Sequence, residues 1–215
     1  MEIRFDEQVA IVTGAGRGLG RAHAIAMASK GAKVVVNDFS GSQEISENAN
    51  SVVEEIISAG GEAIANGANV ANFDQVQCMV NETIDKWGRV DILVNNAGIL
   101  SDKTFLKMSV EDMREVIDVH LMGSLNCSKA LWETMREQSY GRIVLTSSSS
   151  GLYGNFGQTN YGAAKMAMVG IMNTLHLEGM KYNIKVNCLA PTAGTAMTDG
   201  LFPEPVFKLM PPESV

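Results

Sequence analysis

Tyr161 and Lys165, four residues apart, are the pair in this chain whose types and spacing could carry acid–base chemistry. They begin a predicted helix, on which positions i and i+4 share a face, so the two side chains can meet over one spot. An ammonium beside a phenol stabilises the phenolate and lowers the pKa of the tyrosine, which makes it a usable acid or base. Ser148, at the turn after the apolar run 143–145, could hydrogen-bond the same substrate oxygen. The competing interpretation is an ordinary amphipathic helix preceded by a solvated serine loop.

A glycine-rich turn near the start of the chain has the composition of a phosphate cradle. It follows the apolar run 9–12, which is typical of a buried parallel strand, and precedes the helical stretch 21–30. Glycines let the backbone approach a ligand closely, and a helix N-terminus offers free N–H groups at its positive end. The candidate phosphate-binding residues are Gly14, Arg17, Gly18, Leu19 and Gly20.

Asp38 indicates which dinucleotide such a cradle would take. It ends the predicted strand 33–37 and stands eighteen residues after Gly20. A carboxylate there can accept both hydroxyls of an adenosine ribose and repels a 2'-phosphate, which favours NAD over NADP. Arg17 is the counter-evidence, but the Asp38 carboxylate would occupy the place of that phosphate. The alternative is an aspartate that merely opens a loop.

Six apolar, strand-like runs alternate with helical segments along the chain. Strands are predicted at 9–12, 33–37, 62–65, 90–94, 142–145 and 184–189. Helices are predicted at 21–30, 52–59, 73–87, 110–138 and 159–180, and a surface loop at 39–50. The alternation predicts a single α/β domain over residues 1–215, with a doubly wound parallel sheet and a ligand site at the carboxyl ends of its strands.

Two further strand ends carry residues suited to a flat cofactor. Small residues after the strand at 90–94 let such a molecule lie against the backbone, and the paired Asn95 and Asn96 can tie neighbouring strands together. The segment after the strand at 62–65 could flank an adenine ring. The candidate cofactor contacts at these two ends are Asn69, Val70, Asn96, Ala97 and Gly98.

Composition excludes several functional classes. The net charge is −7, the isoelectric point is near 5.0, and Lys and Arg form no run, so no nucleic-acid partner is expected. The sequence shows neither an apolar stretch of membrane-spanning length nor a signal peptide, so no membrane partner and a cytoplasmic location are expected. The spacing of the three cysteines and three histidines predicts reduced thiols and no metal site.

The motifs together resemble the short-chain dehydrogenase/reductase family. They are Thr13-Gly14-x-x-x-Gly18-x-Gly20, then Asn95-Asn96-Ala97-Gly98, then Ser148 thirteen residues before Tyr161, with Lys165 four after it. The resemblance covers residues 8 to about 200 and implies a Rossmann fold. It implies that Tyr161 is the general acid/base, that Lys165 lowers its pKa and holds the nicotinamide ribose, and that Ser148 orients the substrate carbonyl. Gly194 would also contact the cofactor.

Two departures from the family pattern affect the site. His120 stands where the family usually has an asparagine that anchors a water in a proton relay from the lysine. Its two ring nitrogens could hold that water, and the alternative is a core histidine with a satisfied hydrogen bond. The segment 191–198 is one residue shorter before its methionine than usual.

Both departures, together with the segments 140–143 and 151–158, resemble the (3R)-hydroxyacyl-CoA dehydrogenase branch of the family. That likeness implies a small-molecule substrate, an acyl-CoA, oxidised with NAD. The other hypotheses are a reductase or alcohol dehydrogenase for a 3-oxoacyl carrier-protein thioester, a steroid or a sugar, and a catalytically silent NAD-binding protein.

The end of the chain departs most from the family pattern. Residues 191–215 are interpreted as a substrate loop followed by a shortened C-terminal segment, so the sheet is expected to lack a last strand. The sixth strand would then be an open edge or be covered by a partner. By the resemblance, a homodimer or homotetramer would form through 110–138 and 159–180.

Overall fold

Six parallel strands form one sheet in this computed structural model, which describes residues 3–42, 44–198, 200 and 203–215. The strand order is β3-β2-β1-β4-β5-β6. The strands are β1 Val9–Thr13, β2 Lys33–Asn37, β3 Glu62–Asn66, β4 Ile92–Asn95, β5 Gly141–Thr146 and β6 Ile184–Leu189. The predicted doubly wound parallel sheet is confirmed, and within the described residues β6 is an edge strand.

Helices connect the strands and cover both faces of the sheet. The longer ones are α1 Gly18–Ser29, α2 Glu47–Ser58, α3 Phe73–Trp87, α4 Val110–Ile117, α5 Gly123–Gln138 and α7 Thr159–Gly179. The short ones are α6 Ser149–Tyr153 and α8 Glu204–Phe207, with single 3-10 turns at Met180–Tyr182 and Pro212–Ser214. A wide π-type turn, Asp118–Met122, separates α4 from α5. No helix in the described ranges is long and apolar enough to cross a membrane.

Two predicted helix starts were too late. The first helix begins at Gly18, three residues before the predicted start, and Gly18 itself has a positive φ of 55°. The predicted loop 39–50 ends early, since Ser46 caps α2 and the helix begins at Glu47. The predicted helical region 110–138 is confirmed, because α4, the π-type turn and α5 follow one another without a break.

The hydrophobic core has one part on each face of the sheet. Helices α3, α5 and α7 bury large side chains such as Leu131, Met135 and Met168 against one face. Helices α1 and α2 pack on the other face mainly through alanine and valine. The chain leaves β1 toward β2 and β3, then returns to β4 on the other side of β1. The carboxyl ends of β1 and β4 therefore form the crevice at which doubly wound sheets bind ligands.

Candidate active site

Three predicted catalytic side chains converge beside the carboxyl end of β5. Ser148 follows that strand and caps α6, while Tyr161 and Lys165 lie in the first two turns of α7. The Ser148 hydroxyl lies close enough to the Tyr161 phenol to favour a lower pKa of that phenol. The Lys165 ammonium nitrogen is 5.5 Å from the centre of the Tyr161 ring. A phenol, a hydroxyl and an amine therefore face one point, as acid–base chemistry on a substrate oxygen requires.

Burial dominates the ionisation of this pair. Lys165 is 4% exposed and its Nζ donates a 2.7 Å hydrogen bond to the carbonyl oxygen of Thr146. Desolvation lowers the pKa of Lys165 to about 7. Desolvation also raises the pKa of Tyr161, against the opposing influence of Ser148. Loss of solvent is therefore the largest influence on the pKa of Tyr161, and the expected lowering by Lys165 stays a prediction.

His120 packs against the same tyrosine from the π-type turn. Its ring meets the Tyr161 ring edge-on, with 5.2 Å between the ring centres. Its Nε2 lies 2.8 Å from the Ile99 carbonyl oxygen and 3.1 Å from the Ile99 nitrogen, whereas Nδ1 has no partner among the described residues. Burial, with a smaller contribution from the charge of Lys165, lowers the pKa of His120 to about 3, so the imidazole is neutral. His120 is thus a buried core histidine with one open ring nitrogen.

Gly98 leaves the space that this histidine needs. A Cβ at Gly98 would overlap the imidazole ring of His120. An asparagine at position 120 is smaller, so the histidine makes the demand for glycine stricter at this strand end. At this strand end the backbone of Gly98 therefore packs directly on the imidazole ring of His120.

The glycine turn between β1 and α1 has the shape of the predicted phosphate cradle. Gly14 and Gly18 have positive φ values of 62° and 55°, in the region that favours glycine. Gly20 lies in the first turn of α1, and a Cβ there would overlap the carbonyl oxygen of Gly14. Arg17 is exposed at the N-cap and no side chain caps α1, so its first backbone N–H groups, near Leu19, are not taken by a side-chain cap. These features fit a dinucleotide pyrophosphate.

Thr13 and Asn96 join the glycine turn to the end of β4. The Thr13 hydroxyl oxygen accepts hydrogen bonds from the backbone nitrogens of Asn96 and Ala97, each at 3.0 Å. The Asn96 side chain donates to the carbonyl oxygens of Thr13 and Gly14. Asn95 binds Ser128 of α5 instead. Sequence analysis placed Thr13 in the glycine motif but gave it no role of its own.

Asp38 lies where the adenosine ribose was predicted to bind. Its backbone nitrogen donates to the carbonyl oxygen of Asn66 at the end of β3, which holds the residue beside the crevice. Its carboxylate accepts a hydrogen bond from Ser46, a residue that sequence analysis missed. Two hydrogen bonds hold the predicted adenine neighbours, Asn69 and Val70. The backbone N–H of Asn69 donates to the side chain of Gln75, and the carbonyl oxygen of Val70 accepts from the side chain of Asn126.

The segment after β6 folds back toward the glycine turn. Gly194 donates a 2.6 Å backbone hydrogen bond to Met210, and a Cβ at Gly194 would lie 2.8 Å from the carbonyl oxygen of Phe207. Thr195 lies over the turn, because a Cβ at Gly18 would be 3.5 Å from its methyl carbon. Thr195 was not predicted, and no spacing signal singled it out. Residues 199, 201 and 202 of the predicted substrate loop lie outside the described residues.

A polar network holds the loop before α4 against the start of α7. The Asp112 carboxylate accepts hydrogen bonds from Lys103, Ser101 and Ser109, and the Lys103 ammonium is the main reason that its pKa is held below the usual range. Asn160 donates to the carbonyl oxygens of Ser101 and Asp112. Since Asn160 directly precedes Tyr161, this network positions the phenol. The Ser109-x-x-Asp112 capping pattern was its readable signal.

Comparison with known proteins agrees with this architecture. A family model described as short chain dehydrogenase matches residues 8–205. The chain is 47% identical over 218 residues to the peroxisomal multifunctional enzyme type 2 of Drosophila melanogaster, and it spans 36% of the length of that relative. It is 46% identical over 205 residues to a 3-oxoacyl-[acyl-carrier-protein] reductase of Synechocystis, covering 95% of this chain and 81% of that one.

A solved structure shares the same fold. It is a 7α-hydroxysteroid dehydrogenase complexed with NADH and 7-oxo glycochenodeoxycholic acid, with a TM-score of 0.86 and 31% identity. The match covers 94% of this chain and 78% of that chain. Together with the glycine turn and the convergence of Ser148, Tyr161 and Lys165, these matches show that the chain belongs to the short-chain dehydrogenase/reductase family.

Proposed function

We propose that this chain is an NAD-dependent dehydrogenase that oxidises a 3-hydroxyacyl-CoA to the 3-oxoacyl-CoA. The observation that carries the proposal is the convergence of Ser148, Tyr161 and Lys165 beside the crevice formed by β1 and β4. The acyl-CoA substrate is supported by the multifunctional-enzyme relative. The preference for NAD is supported by the carboxylate of Asp38 at the end of β2.

The proposed reaction separates a hydride from a proton. A nicotinamide nucleotide, when bound, accepts the hydride that leaves carbon 3 of the substrate. Tyr161, as phenolate, takes the proton of the 3-hydroxyl group, while Ser148 donates a hydrogen bond to the same oxygen. One C–H and one O–H bond break, a C=O bond forms, and the proton passes to solvent. Lys165 as ammonium favours the phenolate and binds the nicotinamide ribose.

We propose that His120 takes part in returning that proton to solvent. Its open Nδ1 is a buried polar atom near Lys165, whose charge influences its pKa. His120→Asn, which restores the usual family residue, should keep turnover within about threefold, whereas His120→Leu should lower it about tenfold or more. Equal turnover in His120→Leu and the native protein would show that His120 is only a core residue.

The direct test follows absorbance at the NADH band. The purified chain is mixed with NAD and a racemic medium-chain 3-hydroxyacyl-CoA, with NADP in parallel. NADH formation with NAD and little signal with NADP is the expected result. If neither cofactor gives a signal although NAD raises the melting temperature, the chain is a competent NAD-binding fold and the proposed substrate is wrong.

A second candidate is a reductase for 3-oxoacyl carrier-protein thioesters, which the Synechocystis relative favours. The two candidates differ in the carrier and in the direction of the reaction. Oxidation of NADH or NADPH by a 3-oxoacyl carrier-protein thioester, at a rate well above that with the matching CoA thioester, would favour the second. The same assay can be run with a steroid ketone or a sugar carbonyl in place of the thioester, to test these alternative substrates.

We also propose that the chain forms a homodimer or homotetramer through α7 and the α4–α5 segment. Met166 and Leu177 of α7 and Met180 just beyond it are large apolar side chains exposed to solvent, and Met122 is exposed between α4 and α5. A second copy of the same surface would bury them. Light scattering should give two or four times the chain mass of 23.1 kDa, and a mass of one chain would overturn this proposal.

A further inference from the structure

Ser46 makes a bridge between the Asp38 carboxylate and the start of α2. Its hydroxyl donates a 2.7 Å hydrogen bond to Oδ2 of Asp38 and accepts a 3.0 Å hydrogen bond from the backbone nitrogen of Ala49. The residue is only 6% exposed. The hydroxyl proton of Ser46 is used in the bond to Asp38 and one of its lone pairs in the bond from Ala49. These two bonds fix the orientation of the Ser46 side chain and of the Asp38 carboxylate.

The carboxylate of Asp38 is also confined from the opposite direction. A Cβ at Gly16 would overlap Oδ2 of Asp38 and would lie 2.8 Å from the Cβ of Asn48. The backbone of the glycine turn, the carboxylate and the first turn of α2 are therefore in close contact. Within the described residues Oδ1 of Asp38 has no hydrogen-bonding partner, so it is the oxygen available to a ribose hydroxyl.

The loop between Asp38 and Ser46 folds so that the two residues meet. A bridge pairs Phe39 with Ile45, and Ser40 donates to the carbonyl oxygen of Glu44. The N-terminus of α2 attracts anions, so it would also attract a 2'-phosphate. A carboxylate held at that N-terminus excludes the phosphate better than one that can rotate away.

We propose that Ser46 is a positioning residue for cofactor choice: its hydroxyl holds Asp38 in the orientation that binds the ribose of NAD and excludes NADP. The inference rests on the proposed NAD dependence. It concerns binding alone, so isothermal titration calorimetry with NAD and NADP tests it without a substrate. The net contribution of an ordinary hydrogen bond sets the expected effect at about fivefold in the NAD dissociation constant.

Ser46→Gly is the decisive variant, because glycine preserves most of the helix cap and lacks the hydroxyl. It should weaken NAD binding about fivefold, change NADP binding less, and leave the melting temperature nearly unchanged. Ser46→Thr, which retains the hydroxyl group, should keep the native preference for NAD. Asn72→Ala, which removes the cap of α3, should lower the melting temperature and leave the preference unchanged.

A double-mutant cycle with Asp38→Asn separates the two proposals. Asp38→Asn alone should lower the NAD preference about tenfold or more, and adding Ser46→Gly to it should cause no further change. An unchanged preference in Asp38→Asn would overturn the proposed cofactor choice itself. A lowered preference in Asp38→Asn with a native preference in Ser46→Gly would show that Ser46 is only a helix cap, and the inference would fail alone.

Discussion

The two halves of the sheet build their parts of the site by different means. The cofactor half, β1–β3 with α1 and α2, relies on backbone shape: positive φ angles at Gly14 and Gly18 and the absence of a side chain at Gly20. The catalytic half, β4–β6 with α4, α5 and α7, relies on buried polar side chains, above all Lys165 and His120. Ligand binding in the cofactor half should therefore be sensitive to added side-chain atoms, and proton transfer in the catalytic half to changes in the ionisation of its side chains.

This difference fits the functions proposed for the two halves. A pyrophosphate is bound by N–H groups that every residue carries, so the backbone must come close and side chains must stay away. Proton transfer needs titratable groups whose pKa values are moved, and burial is the strongest means of moving them. Variants in the two halves should therefore fail in different measurements.

The largest expected effect is in the catalytic half. Tyr161→Phe removes the acid–base group, so kcat should fall about 10³-fold while the dissociation constant of NAD stays within about twofold of the native value. Steady-state kinetics and calorimetry measure the two quantities. Tyr153→Phe is the matched control, since this nearby tyrosine is 87% exposed, and it should keep native turnover. Retained turnover in Tyr161→Phe would contradict the assigned chemistry.

In the cofactor half, the addition of a single methyl group should weaken NAD binding. Gly20→Ala places a Cβ over the carbonyl oxygen of Gly14, so we expect a loss of up to about 3 kcal/mol in the free energy of unfolding and much weaker NAD binding. Gly170→Ala controls for the loss of a glycine, because nothing lies within 4 Å of its added Cβ. Denaturant unfolding and calorimetry give both values. Native NAD affinity in Gly20→Ala would mean that the turn is not the phosphate site.

Lys165 makes the catalytic half sensitive to pH. Its pKa is about 7 in the folded protein against an ordinary 10.5, so between these values the unfolded chain binds a proton that the folded protein does not. Stability relative to Lys165→Met should therefore rise with pH, by at most about 1.4 kcal/mol per pH unit.

Denaturant unfolding from pH 7 to 9 measures this difference. Above pH 9 the buried thiol of Cys127, whose pKa is raised to about 12, lowers the stability of both proteins alike, so it cancels in their difference. Lys129→Met, at an exposed lysine of α5, controls for replacing a lysine by an apolar residue. A flat difference between the native protein and Lys165→Met would show that Lys165 is not desolvated.

The smallest expected effect concerns the hydrogen bonds of the Thr13 hydroxyl, which join the cofactor half to the catalytic half. Thr13→Val leaves the part-buried backbone nitrogens of Asn96 and Ala97 without their acceptor, which should cost about 2 kcal/mol of the free energy of unfolding. Thr83→Val is the control, because the hydroxyl of Thr83 is buried but only donates within α3. If both variants lose the same free energy, Thr13 is not a specific link.

Local patterns were sufficient for the glycine turn and for the alternation of strands and helices along the chain. The run before the glycine turn, the turn itself and Asp38 are each read from a few neighbouring residues, and all lie at strand ends as predicted. Boundaries were missed where a side chain decides them, as at Ser46, whose capping bond starts α2 five residues early. Propensity alone does not show which serine will find a free N–H group.

Sequence by itself determined the fold class, the family, and the types and spacing of Ser148, Tyr161 and Lys165. The tertiary structure alone decided their ionisation, since desolvation depends on what packs around a side chain and not on its neighbours in the chain. It also gave the two ring nitrogens of His120 different surroundings, since Nε2 contacts Ile99 and Nδ1 has no partner in the part of the chain that the structure describes. Contacts between residues distant in sequence, such as Thr13 with Asn96, exist only once the sheet brings the two strand ends together.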